Sequence, residues 1–494
     1  MVTARNAVRE SGVRYKRHQP ELTLLYQIIE THYPEFLGYM ESQGKTLPNH
    51  IKKEFEAYLK CGRLEQGFLR VRCEDCRHER LVAFSCKKRG FCPSCGARRM
   101  AESAALLVDE ILPHEPVRQW VISFPYQLRY LFARYPKAIS QALAIVYRCI
   151  ANHLIKKAGL THKTAKTGGI TLIQRFGSAL NLNVHFHMLL LDGVYTTNRH
   201  GKRRFQYVST PLSDELTHLV HTISHRIARF LERQGLLERD MEQSYLTLEE
   251  DDDPMSQIHG HSTTYRIAVG AQQGQKVFTL QTLPPSDNES NEAQIGQIAG
   301  FSLHAGIMAR RDQRKKLERL CRYICRPAVS EKRLAMTSGG RIRYQLKTPY
   351  RDGTTHVFFQ PLDFIARLAA LVPKPRVNLT RYHGVLAPNS KHRVLVTPAH
   401  RGKGGNKQIN LETQEKTTFA RKQGMTWAQR LKRVFNIDIE VCDICGKKVK
   451  VTACIEDSAV IKKILTHLKV QAPAIKKYTL PEGRSPPQRI LFVD

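Results

Sequence analysis

Asn181-Leu182-Asn183-Val184-His185-Phe186-His187-Met188-Leu189-Leu190 is the stretch that decides how the middle of this chain folds. Apolar and polar residues alternate through its centre, which is the period of a strand with one buried face. Val184, Phe186, Met188 and Leu190 then share a core-facing side, and His185 and His187 stand together on the other. Two imidazoles side by side on a sheet can hold one divalent ion. The pair alone is a weak signal: with 21 histidines in 494 residues, about one His-x-His arises from composition. The second instance, His259-Gly260-His261, lies in a polar stretch with glycine at its centre and reads as a loop. Strand phase is what separates the two.

Working outward, residues 170–176 form a second strand, joined to the first by a short loop with Gly177 and Ser178. Gln174 on that strand is the candidate third ligand, and Asn183, on the histidine face, is the next. Residues 117–124 read as a further strand, ended by Pro125, and residues 139–155 and 212–237 as helices. In the helix 315–325, Leu317, Leu320, Cys321 and Ile324 make the apolar stripe. Tyr323 lies off it, with Arg319 one turn earlier and Lys316 and Arg326 close in angle. Cations favour a phenolate and attract a phosphate, which makes Tyr323 the candidate nucleophile.

The composition suits nucleic acid. Seventy-eight Lys and Arg against 44 Asp and Glu leave a net charge of +34, which concentrates polyanions at the surface. An anionic membrane surface or the ribosome is the other reading of charge alone. The basic start, residues 1–17, is followed by no signal-peptide core, and no apolar run reaches bilayer length. The expectation is a soluble cytoplasmic protein associated with DNA. Residues 391–433 carry eleven Lys or Arg against two Glu and read as a basic linker. An acidic run at residues 249–253 opens a polar insertion that extends to about residue 297.

Twelve cysteines occur, mostly in tight pairs, a pattern of metal sites before disulfides. Cys73, Cys76, Cys92 and Cys95 form two C-x-x-C turns fifteen residues apart, the spacing of one structural zinc ribbon. Cys61, Cys86 and His78 lie nearby and read as packing residues or substitute ligands. Lys87, Lys88, Arg89, Arg98 and Arg99 crowd the second turn and are candidate DNA contacts, together with Lys316, Arg319 and Arg326. Near the C-terminus, Cys442 and Cys445 form a single turn, with Cys454 and His467 available to complete a second zinc site.

Taken together, these segments resemble the insertion-sequence-ninety-one family of transposases. The resemblance rests on Cys61-Gly62, Phe84-Ser85-Cys86-Lys87 and Phe91-Cys92-Pro93-Ser94-Cys95 for a zinc-binding head. It extends through residues 181–193, Arg322-Tyr323-Ile324-Cys325-Arg326-Pro327, residues 362–376 and residues 381–390. It implies an α+β chain: N-terminal helices and a zinc ribbon, an antiparallel-sheet nuclease core with helices related to the ferredoxin-like split βαβ arrangement, and a small basic C-terminal region. It also implies that Tyr323 attacks single-stranded DNA at the element's end, keeps a 5′-phosphotyrosine and releases a 3′-hydroxyl, in rolling-circle transposition. His185 and His187 would hold Mg²⁺ or Mn²⁺. Some members have two tyrosines four residues apart. Here the earlier position is Arg319, so the chain is similar to the single-tyrosine branch, and one tyrosine acts twice or a second protomer supplies another.

The expected divisions are 1–60 helical, 61–100 zinc-binding, 101–390 catalytic, 391–426 linker and 427–494 a small unit. A rolling-circle replication initiator or relaxase would share the chemistry, but no P-loop for a fused helicase occurs. A zinc-ribbon regulator would explain charge and cysteines yet leave the histidines and Tyr323 without a role.

Overall fold

The structure is a computed structural model that describes residues 18–197, 203–239, 244–247, 253–285, 294–400, 429, 432–433 and 440–468. The linker beyond residue 400, most of 427–439 and parts of the acidic insertion lie outside the described residues.

In chain order the elements that position the site are these. Helices α1 (Leu24–Ser42) and α2 (Asn49–Lys60) lead to strands β1 (Phe68–Cys73) and β2 (Glu79–Ala83) and helix α3 (Pro93–Leu106). Strand β3 (Val117–Ser123), helix α4 (Pro136–Lys157), strands β4 (Gly168–Phe176) and β5 (Leu182–Leu191) and helix α5 (Ser213–Arg233) follow. Then come β6 (Ile295–Ile298), β7 (Phe301–Ala309), α6 (Arg314–Ile324), α7 (Pro361–Leu371), β8 (Thr380–Gly384), β9 (Val449–Ile455) and α8 (Ser458–His467).

The central sheet has six strands in the order β6-β7-β3-β5-β4-β8, antiparallel at every pairing. Its middle is built from the chain sequence β3-α4-β4-β5-α5-β7, with β5 inserted between β3 and β4. That is the split βαβ plan of a ferredoxin-like sheet. The alternation in β5 decides the layers. Phe186 and Met188 lie opposite Ile122 and Trp120 of β3, and this face is packed under α4 and α5 in one buried core. Leu189 and Leu191 join Val117, Ile170 and Leu172 in a second core beneath α3 and α6. The histidines share this second face, so the fold turns them toward the helix that carries Tyr323.

A third core joins α1 and α2 to α7 and to a small sheet that contains Ile342–Gln345 and Thr354–Phe359. The N-terminal helices therefore pack on a segment about three hundred residues away in sequence.

Two expectations are corrected. His259-Gly260-His261 is not a loop but part of the helix Met255–Thr263. Met255, Ile258, His259 and Ser262 are buried at helical spacing, and the Asp253 carboxylate accepts from Met255 N at 2.9 Å. Burial of that face outweighs a glycine penalty of about 1 kcal/mol. This helix also serves the site: Ser262 Oγ accepts the Leu182 N–H at 2.9 Å and secures the start of β5. The second correction concerns apolar length. Among the described residues one helix, α4, is long and apolar enough to cross a membrane. Its apolar residues, from Ile139 through Ile155, fill the core under the sheet.

Candidate active site and thiol clusters

On β5, His185 Nε2 and His187 Nε2 converge to 3.2 Å. Two nitrogens about 2.1 Å from one ion at a near-tetrahedral angle lie about that far apart. Each ring is held by its other nitrogen. His185 Nδ1 lies 2.9 Å from the Asn183 carbonyl, which can only accept, so the proton sits on Nδ1 and Nε2 keeps its lone pair. His187 Nδ1 lies 2.7 Å from the Gln119 amide. The Gln119 oxygen is buried without a partner among the described residues. Turned toward the ring, it accepts Nδ1–H and fixes the same tautomer in His187.

Burial, followed by the nearby Arg129 and Arg326 charges, pushes the His185 pKa down to about 4. Burial and His185 itself hold His187 well below 6.5. Both rings are neutral at neutral pH, the state a ligand requires. His383, 2.9 Å from Thr171 Oγ1, is also pushed down to about 4 by burial. A histidine whose folded pKa is depressed costs stability as pH falls, because the unfolded chain takes up the proton first. In chelator, the protein is expected to lose stability between pH 6.5 and 4, by about 1.4 kcal/mol per pH unit for each such histidine. Urea unfolding at pH 7 and pH 4.5 checks this, and equal stability at the two would contradict it.

Gln174 is directly opposite His185 across the β4–β5 pairing. Its amide nitrogen donates to the Ile324 carbonyl at the end of α6, and its oxygen is buried without a partner among the described residues. It thus ties the tyrosine helix to the histidine strand and has one free oxygen donor beside the pair. The Asn183 side-chain oxygen is also unpartnered among the described residues. Two neutral imidazoles and an amide oxygen fit a divalent ion with positions left open for substrate oxygens.

Tyr323 stands on the last turn of α6, 40% exposed. Its ring centroid lies 6.4 Å from that of His187, with the planes perpendicular. Arg326 Cζ lies 4.3 Å and Lys347 Nζ 4.0 Å from the ring centroid. Arg326 also reaches the Phe176 ring on β4. The predicted stripe of Leu317, Leu320, Cys321 and Ile324 is buried and leaves Tyr323 facing out. Gln119 and Lys347 had no signal of their own in the sequence. Gln119 is a polar residue on a strand read for its apolar face, and Lys347 follows a strand of another sheet.

The candidate DNA contacts separate by position. Lys88, Arg89, Arg99 and Arg326 line a cleft of about 310 Å³ that Gln174 also borders. Arg89 donates to the Val377 carbonyl at 2.7 Å, and Arg99 to the Lys87 and Lys88 carbonyls at 2.9 and 3.2 Å. Arg98 donates to Ser85 Oγ at 3.1 Å. Lys87, Lys316 and Arg319 are exposed.

The thiols do not group as their spacing suggested. Cys92 and Cys95 converge with Cys61 and Cys86, and Cys73 and Cys76 with Cys442 and Cys445. In the first quartet Cys61 Sγ lies 3.8 Å from Cys92 Sγ and 3.7 Å from Cys95 Sγ, and Cys86 Sγ is 3.4 Å from Cys95 Sγ. Thiolates about 2.3 Å from a tetrahedral zinc lie about 3.8 Å apart. Cys92 and Cys95 sit at the N-terminus of α3, where helix N–H groups favour thiolates. The quartet packs on Phe91, Phe55 and Tyr58 in the N-terminal core. Of the two readings of Cys61 and Cys86, packing residue or ligand, their convergence with Cys92 and Cys95 favours the ligand. The single quartet of Cys73, Cys76, Cys92 and Cys95 does not form, because α2 and the loop after β2 supply nearer thiols. Cys454 and His467 are outside both groups: Cys454 Sγ is exposed beside Glu456, and His467 ends α8.

Residues 28–124 match the family model described as "Transposase zinc-binding domain", and residues 168–393 match the one described as "Putative transposase". The first interval contains the quartet around Cys61, and the second contains His185, His187 and Tyr323. No curated protein and no solved structure matches the chain.

Proposed function

The chain belongs to the insertion-sequence-ninety-one family of transposases, and from that premise we propose that it nicks one strand of the element's end through Tyr323 and rejoins it in rolling-circle transposition. A transposase of this kind binds DNA and carries structural zinc. The observation that carries the finer reading is the placement of one exposed tyrosine, with two cations close to its ring, beside a neutral histidine pair whose Nε2 atoms converge.

In this reading the Tyr323 oxygen attacks the scissile phosphorus. The bond from phosphorus to the 3′ oxygen breaks, the 3′-hydroxyl leaves, and the 5′-phosphate stays on Tyr323. The phenol proton is lost to solvent, and Lys347 and Arg326, beside the ring, draw in the phosphate. His185, His187 and Gln174 would hold Mg²⁺ or Mn²⁺, which when bound supplies positive charge to the phosphate. Two imidazole donors favour Mn²⁺ of the two. The basic cleft bordered by Lys88, Arg89 and Arg326 gives the strand a path from the zinc-binding head to Tyr323. A 3′-hydroxyl attacking the phosphotyrosine reverses the step and joins strands without an external energy source.

The test is His187→Ala on single-stranded end DNA. Cleavage is expected to fall at least about 100-fold, with DNA affinity within about threefold, because the basic cleft and the zinc-binding head are separate from the ring. Parallel loss of binding and cleavage would mean that His187 supports the fold and not the chemistry.

A further inference from the structure

We propose that Cys73, Cys76, Cys442 and Cys445 hold a second zinc ion, which clasps the C-terminal strand and helix onto the N-terminal module. The ligands come in pairs from the two ends of the chain. Cys73 Sγ lies 3.4 Å from Cys445 Sγ and Cys76 Sγ 3.5 Å from Cys442 Sγ, and all four sulfurs lie within 4.8 Å of one another. Four thiolates at these separations make a closed tetrahedral set, the donor choice of a structural zinc. Cys92 and Cys95 cannot complete it, because Cys61 and Cys86 already fill their quartet.

The backbone makes the same turn twice. The N–H of Cys73 donates to the His78 carbonyl at 2.9 Å, and that of Cys442 to the Lys447 carbonyl at 2.7 Å. In both cases the acceptor lies five residues on. The residue after each second cysteine is left-handed: Gly446 has φ +71° and Arg77 has φ +59°. An arginine in that region costs about 1 kcal/mol, so the turn is held by something beyond local preference. Two matched knuckles facing each other leave four sulfurs around one point.

The surroundings close the clasp. Strand β9 pairs antiparallel with β1 from Phe68↔Ile455 to Cys73↔Val449. Lys447 pairs with Asp75 at 2.6 Å between the two knuckles, and Arg80 on β2 pairs with Asp443 of the C-terminal knuckle at 3.1 Å. Ile461 of α8 is buried against Leu64 and Phe68. That core is small, and a docked unit with few apolar contacts needs a metal or covalent staple to stay in place. The match to the transposase zinc-binding domain ends at residue 124, so the C-terminal pair extends the site beyond that domain. The inference is independent of strand cleavage.

Metal counting on the full-length chain tests it. Wild type is expected to carry two zinc ions, one for each quartet. Cys442→Ser with Cys445→Ser is expected to halve the zinc content, and Cys454→Ser and His467→Ala to leave it unchanged. An unchanged count in the double variant, a loss in Cys454→Ser or His467→Ala, a single zinc in wild type, or iron in its place would overturn the proposal. Disulfide mapping of wild type after mild chelation and oxidation covers a double variant that fails to fold. A link between residues 73–76 and residues 442–445 is expected, and a link from 73–76 to 92–95 would overturn the assignment.

Discussion

Tyr323→Phe is expected to lower strand cleavage by on the order of 10⁴-fold or more, the cost of removing a nucleophile when the rest of a site is intact. The ring, its contact with His187 and both cation contacts survive the change, since only the oxygen is lost. DNA affinity should therefore stay within about twofold, because phosphate contacts come from the basic residues. Gel-shift titration and single-turnover cleavage on one end sequence separate the two quantities. Residual cleavage above a few per cent would point to another attacking group, and Arg319 one turn earlier cannot be that group.

Asp192→Ala is expected to have the largest effect on stability. Arg118 and Asp192 are 2% and 1% exposed and form a two-pronged ion pair, with both contacts at 2.8 Å. Arg118 also donates to the Ala305 carbonyl on β7 and to Thr210 Oγ1, each at 2.9 Å. The pair thus joins β3, the end of β5 and β7. Removing one partner leaves a buried charge uncompensated and costs about 3–5 kcal/mol. Replacing both, as Arg118→Met with Asp192→Leu, should recover most of that loss, since a well-packed apolar pair is often neutral. Urea unfolding of the three proteins checks it. A loss below about 1 kcal/mol for Asp192→Ala would mean that the pair is hydrated in solution.

The sheet could be read from the sequence where a single period dominates. Strands β3, β4 and β5 and helices α4, α5 and α6 fall within a few residues of their expected places, because each has one apolar face and a clear end. The strand order was implied by family resemblance and not by pattern, since pairing between distant strands leaves no periodic mark. The thiols show the limit most sharply. C-x-x-C spacing identifies a knuckle but not its partner, and the partner of Cys73 and Cys76 lies beyond residue 440. Cys61 and Cys86 look like packing residues because a buried cysteine has the same neighbours in either role. The helix at His259 shows how a polar, glycine-containing stretch is overruled by burial of one face.

The histidine pair was visible as phase on one strand. Its tautomers were not, because they depend on the Asn183 carbonyl and on Gln119 of a flanking strand, each through a single hydrogen bond. The tyrosine rested most on resemblance. Arg326 was already expected beside it, and the structure adds His187 and Lys347, which come from two other segments.

Peptide mapping of the covalent product tests the central claim most directly. Wild type incubated with single-stranded element-end DNA and Mn²⁺, then denatured and digested, is expected to yield one modified peptide, carrying a 5′-phosphonucleotide on Tyr323. Attachment to any other residue, or complete cleavage with no covalent product under the same conditions, would contradict the account.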